Sequence, residues 1–290
     1  PRPLHQVEGA LESVGESPMT RSNLLNPLRA ALASLVFGAR QAFAAWPVLM
    51  GRCVFYLVAI AVLTALWDKV ESQRLPGTLA AYLPAGGLAL YVGVTEWITL
   101  SVSAIHLRLE DDIRSGALEP HLLRPKPYLL QKVAEQMGST LARLTGIGAA
   151  ALVALLLSRR AVPGAEAFLF AAILGVIGAF IGVLLYTLVG LCAFWLRRVL
   201  PPYLIMQKLL FILGGLFAPI SLYPVWLYRF ALKTPFAAST FFAGDQMIRP
   251  TLQGFWPYLG WELFWFGAIA LLVALFWRWG IARVLKEGLP

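Results

Sequence analysis

Charge is scarce in this sequence. Only 13% of its 290 residues are Asp, Glu, Lys or Arg, while 59% are hydrophobic; a soluble domain carries about 25% charged residues. A chain this apolar cannot hide all its apolar surface in one soluble core, so lipid must cover part of it. Cysteine is rare as well. Cys53 and Cys192 both fall in apolar runs, without metal spacing or a disulfide framework. The three histidines, His5, His106 and His121, form no H-E-x-x-H, which argues against an intramembrane metalloprotease, and no metal site is expected. No Gly-Lys pair occurs anywhere, so there is no G-x-x-x-x-G-K-[ST] phosphate loop and the chain is not itself an ATPase. Gly-x-Ser-x-Gly is missing too. Glu96 is the lone acid deep in an apolar run, unlike the acid relays of proton-coupled carriers. Residues 1–20 are polar and lack the apolar core and cleavage site of a signal peptide. There is no transporter-type internal repeat.

Six apolar runs are present, at about 46–67, 79–105, 137–157, 166–195, 203–222 and 256–279. Each is close to the roughly 20 residues that cross a bilayer as a helix. The fold expected is therefore an all-α polytopic membrane protein of about six transmembrane helices. Residues 1–23 read as a polar tail. Residues 24–45 read as an amphipathic interfacial helix: Asn26-Pro27 caps it, and Leu28, Leu32, Leu35, Val36, Ala39 and Phe43 recur at helical spacing. A six-span domain follows over 46–282, with a cytoplasmic loop at 106–136 and an outer re-entrant segment at 216–250. Residues 283–290 form a short C-terminal tail.

With the N-terminus inside, the inner segments hold 14 Lys and Arg and the outer segments 7. That bias predicts cytoplasmic termini, with Arg159-Arg160 as the main dissent. The net charge of +9 then follows from basic loops beside anionic lipid, and no nucleic-acid partner is expected.

Two segments carry functional pattern. Between runs two and three, Glu110, Asp111 and Asp112 cluster in a helical stretch, Gly116 permits a turn, and Pro120, Pro125 and Pro127 stop the helix. Charges beside leucines 118, 122 and 123 suit docking of a partner protein; a plain connecting loop is the alternative. After run five, Gly214, Gly215, Phe217, Pro219, Tyr223, Pro224 and Trp226 break the helix into short aromatic pieces. These read as a re-entrant outer gate or as an interfacial aromatic belt. Glu96, Arg143 and Lys208 are the intramembrane polar residues singled out. Glu96 is expected to face protein or water; its depth allows pairing with Arg143 or Lys208, and the alternatives are snorkelling of the basic residues and a protonated Glu96 bonded to a neighbouring helix. Glu262 is placed at the interface. Gly178-Ala-Phe-Ile-Gly182 is a small-xxx-small packing face.

The run Asp112-Ile-Arg-Ser-Gly-Ala-Leu118, with Leu122-Leu-Arg-Pro125, resembles the I-R-x-G-x-L … L-L-R-P signature of one branch of the ABC-2 type transporter permeases. Gly214 to Leu227 is similar to the G … P … P-x-W-L pattern of the same family. The resemblance covers roughly 25–285. It implies a six-span permease subunit of an ATP-driven exporter in a bacterial or archaeal inner membrane, moving a hydrophobic or amphiphilic substrate. It implies ATPase coupling through Glu110, Asp111, Asp112, Arg114, Gly116, Leu118, Arg124 and Pro125. The implied partners are cytoplasmic ABC ATPase subunits, which hold the ATP and Mg, and a second permease copy or a homologous permease. The chain itself would be non-catalytic and carry no cofactor. An ion-coupled secondary carrier and a membrane-embedded lipid-modifying enzyme are the alternatives. The enzyme would have to draw on His106, Glu110, Asp111, Asp112 and His121.

Overall fold

A computed structural model describes residues 21–72, 86–118, 127–158, 162–216 and 218–287. Among these residues the regular structure is helical and there is no strand. That is the outcome lipid enforces on a single chain without barrel closure, because each helix satisfies its own backbone. The first helix, α1 (Arg21–Ala44), starts six residues before Pro27, so Asn26-Pro27 lies inside it and does not cap it. It lies across α5 (Tyr128–Leu157) with backbone against backbone. A Cβ on Gly38 would stand 1.9 Å from the Glu135 carbonyl oxygen, and one on Gly138 would stand 1.8 Å from that of Leu35. The expected apolar stripe is thus divided. Half-buried Leu35 and Ala39 turn to α5, while Leu28, Leu32, Val36 and Phe43 stay exposed, as a face entering lipid would be.

Among the described residues, five paths are long and apolar enough to cross a membrane. They are α2 (Trp46–Ser72), α3 (Gly87–Ser101) continued by α4 (Ile105–Arg114), α5, α6 (Ala165–Leu191) and α10 (Leu252–Glu287). The fifth predicted run forms only α7 (Leu200–Leu213), 14 residues. At 1.5 Å per residue it reaches about 21 Å, short of the roughly 30 Å hydrocarbon core. Gly214 and Gly215 end it, the latter at φ +68°, a conformation that a side chain resists. Next come α8 (Val225–Leu232) and α9 (Pro235–Ile248), a helical pair that dips into the bundle. The depth is set by Gly178, whose Cβ position lies 2.5 Å from the Ser239 carbonyl oxygen. Gly178 is thirteen residues into α6, about 20 Å along it.

The second run, read as one span to 105, is broken at Val102–Ala104. Thr99 and Ser101 donate to the carbonyls of Thr95 and Trp97, 2.8 and 2.7 Å away. Such back-bonding competes with the helix and bends it. Helix α4 turns away there and packs on the end of α6, where Gly190 leaves room for Leu109. Likewise the loop expected to reach 136 becomes helix from Tyr128 onward, once Pro127 is passed.

Helix α6 is the most enclosed span, and α2 and α10 expose most of their surface. Its glycines admit neighbours: Gly175 faces the Trp97 ring, Gly178 the α9 backbone, and Gly182 the Val102 side chain. The small-residue face therefore packs within the chain, against α3 and α9. The tail 1–20, Arg159-Arg160 and residues 288–290 lie outside the described residues.

Candidate functional site

The interrupted segment after α7 is anchored from α3. The Tyr91 hydroxyl, wholly buried, donates to the Gly215 carbonyl at 2.6 Å. Thr240 of α9 donates to the Gly214 carbonyl at 2.7 Å, and Thr95 reaches that of Leu216 at 3.4 Å. Unwound backbone deep in a membrane protein must find such donors, since lipid offers none. Tyr91→Phe leaves the Gly215 carbonyl short of a donor and should cost about 1–3 kcal/mol of stability. Tyr223→Phe removes a bond to the Ile212 carbonyl made at an exposed position and should cost less. Thermal unfolding in detergent of the two variants side by side checks this order.

Of the predicted gate residues, Gly214, Gly215 and Pro219 are buried in the elbow. Tyr223 is half-buried, while Pro224 and Trp226 are exposed; Phe217 lies outside the described residues. The aromatic pieces divide between the two readings: Trp226 and Phe230 face outward, and Phe241 and Phe242 are core. Tyr258 stacks on Phe242 at 4.2 Å and donates to Asp245 at 2.9 Å.

Against the elbow lies a cavity of about 300 Å³ bounded by α3, α6, α7 and α9. Leu216, Ser239 and Thr240 meet it from the elbow side, Thr99 and Tyr186 line its walls, and Gln207 and Lys208 reach it from α7. Helix α7 buries only Leu213. A second cavity, about 580 Å³, lies between α2, α3, α5 and α6 and has no charged side chain in its lining.

At the other end of α3, helix α4 presents the docking candidates. Asp111 and Arg114 are exposed, and Glu110, Asp112 and Gly116 are half-buried. Leu118, read as an exposed docking leucine, is fully buried. It is drawn in because Gly116, at φ +74°, turns the chain back so that the Leu118 amide donates to the Asp112 carbonyl at 3.1 Å. Arg124 and Pro125 lie outside the described residues. Asp112 accepts from the Tyr128 hydroxyl and from Lys132 Nζ, the latter at 2.6 Å, and Arg108 pairs with Glu135 at 3.1 Å. These bonds fasten α4 to the base of α5. His106 stacks on Tyr203 of α7 at 4.3 Å and tilts against Tyr186 at 5.3 Å.

Sequence reasoning missed the anchors. Tyr91, Thr95 and Thr99 lie four apart, a polar stripe at helical spacing that an apolar run disguises. Tyr128, Lys132 and Glu135 also share one face, in a stretch where the prolines predict a loop.

The intramembrane charges do not pair as expected. Among the described residues Glu96 is in no ion pair; it faces Tyr56 on α2, while Lys208 lines the cavity. Arg143 is faced by Arg52 and Arg108. Glu262, expected at the interface, is fully buried: it lies on the seam that α10 packs against the bundle, together with Phe255, Ile269 and Val273. No group of three or more His, Cys, Asp or Glu able to hold a metal occurs among the described residues.

A search of curated proteins finds no match. The sequence profile described as ABC-2 family transporter protein matches residues 87–288, from the start of α3 through the end of α10 and so over the elbow, the cavity and the α4 joint. With more than half of its length matched, this multi-pass helical chain belongs to the ABC-2 family and is a membrane component of an ABC transporter.

Proposed function

We propose that the chain is the permease half of an exporter driven by separate ABC ATPase subunits, which bind the ATP and Mg. The observation that carries this reading is the direct joining of α4 to α3 across the Val102–Ala104 bend. One end bears exposed Asp111 and Arg114; the other holds the Gly214–Leu216 elbow through Tyr91 and Thr95. Between them Ile98, Thr99 and Val102 line the cavity. A push on α4 is thereby conveyed to the cavity and its elbow, and His106 passes it sideways to α6 and α7. The α1 and α4 side is cytoplasmic in this reading, supported by the 14 to 7 bias of basic residues. The exposed length of α7 receives a second copy or a homologous permease, which completes the pathway beside Lys208. The charge-free 580 Å³ cavity supports an apolar or amphiphilic cargo.

Arg114→Glu tests the coupling. Arg114 meets Glu110 only at 3.5 Å and is exposed, so its loss should leave stability within about 1 kcal/mol. Expected in proteoliposomes with the ATPase is at least a tenfold fall in transport, with ATP hydrolysis retained. Normal transport by this variant would remove α4 as the coupling element. Transport driven by an ion gradient without ATP would make the chain a secondary carrier.

A further inference from the structure

We propose that Arg52, Arg108 and Arg143 form a binding site for the phosphate group of a membrane lipid, on the leaflet that carries α1. The three guanidinium groups come from three helices, α2, α4 and α5. Arg52 reaches the Leu100 carbonyl near the end of α3, and one turn back on α3 Trp97 donates to the Leu144 carbonyl of α5 at 2.8 Å, which brings Arg52 and Arg143 to the same end of α3; the Arg52 and Arg108 charges both act on Arg143. Among the described residues, the carboxylate engaged there is that of Glu135, held by Arg108 at 3.1 Å and by the Gln136 amide at 3.4 Å. Arg52 has the Leu100 carbonyl, 2.5 Å away, which is neutral. The Nη1 of Arg143 is buried and has no hydrogen-bond partner. On the same face, three residues earlier, Thr140 is wholly buried and its hydroxyl is also unpartnered. The cluster thus holds two more positive than negative charges, with donors left over.

Depth selects the ligand. Gly138 fixes where α1 crosses α5, and Arg143 is five residues, about 8 Å, further into the bundle. Arg52 is six residues from the start of α2 and turns back to the Leu100 carbonyl at the end of α3. Both are half-buried, and we infer that this depth is that of the boundary between headgroups and acyl chains. Basic pockets between transmembrane helices take phosphate-bearing headgroups, and the planar fork of arginine matches a phosphate with two parallel bonds. The site lies apart from the cavity beside Lys208 and does not depend on what the protein transports.

Native mass spectrometry of the purified full chain tests it, with phosphatidylglycerol, diacylglycerol and inorganic phosphate as probes. Phosphatidylglycerol should be retained and diacylglycerol lost. Arg52→Gln and Arg143→Gln should each weaken retention roughly tenfold, the loss of one charge-assisted bond. Arg143→Lys, which keeps charge without the fork, should fall between, and Arg40→Gln, exposed on α1, should bind as the parent does. Failure of inorganic phosphate to compete identifies a lipid headgroup; competition at millimolar levels keeps the phosphate site but makes free phosphate its ligand. Equal retention of phosphatidylglycerol by parent, R52Q and R143Q, or equal retention of diacylglycerol, would overturn the proposal. If R143Q does not fold, the comparison of R52Q with R143K decides.

Discussion

Gly138→Leu should pry α1 off the bundle and cost about 3 kcal/mol or more, at the upper end of overpacking penalties. The reason is the identity of the obstructing atoms. A Cβ at 138 would lie 1.8 Å from the Leu35 carbonyl oxygen and 2.7 Å from its carbon. These are backbone atoms, which cannot turn aside as a flexible side chain does. Gly38→Leu should act equally, since its Cβ meets the Glu135 carbonyl at 1.9 Å. Gly51→Ala and Gly267→Ala are the controls: nothing lies within 4 Å of either Cβ position, and Ala should favour the helix by up to about 1 kcal/mol. Thermal unfolding of the four variants, with protease cleavage between α1 and α2, reads the effect. Cleavage should quicken in the first two alone. Unchanged unfolding in Gly138→Leu would show that α1 does not rest on α5 as described.

The amphipathic N-terminal helix was legible because its apolar positions recur at helical spacing over about four turns. Its partner was not. Gly38 and Gly138 are a hundred residues apart, and nothing in either neighbourhood says that they meet. The same limit explains the spans. Hydropathy finds α2, α5, α6 and α10 because length and apolarity suffice there. It overruns at the second, because Thr99 and Ser101 are too few to lower the average although they suffice to bend the backbone. It overruns again at the fifth, where Gly214 and Gly215 look apolar yet end the helix at mid-depth.

The docking region shows a third kind of limit. Clustered acids, the Gly116 turn and the prolines gave α4 and its end from local chemistry alone. Which of those side chains remain outside is decided by long-range packing on α6 and α5. Leu118 therefore went to the core, Asp112 became a joint with Tyr128 and Lys132, and Asp111 and Arg114 were left to meet a partner.

Glu262→Met should raise stability by about 1–3 kcal/mol, the ordinary penalty of a buried polar group without partners. Glu262 is 0% exposed, and neither carboxyl oxygen has a hydrogen-bond partner. It sits in the seam that α10 turns inward with Phe255, Ile269 and Val273, all buried. Contacts with α6 and the turn that follows it bracket the seam: Phe170 stacks on Phe255 at 4.6 Å, and Phe194 meets Trp277 at 5.8 Å. Met has similar length and an unbranched stem that fits irregular gaps, so it should fill the space without strain. Transport should move the other way, falling at least tenfold, because an acid held at such cost inside a membrane bundle is kept for function. Glu262→Gln, polar but never ionised, separates two roles. Transport retained in E262Q means that the group serves as a neutral hydrogen-bonding partner in another conformation. Transport lost in both E262Q and E262M means that the carboxyl must ionise there. A more stable E262M that transports as the parent does would reduce Glu262 to a tolerated defect in the seam.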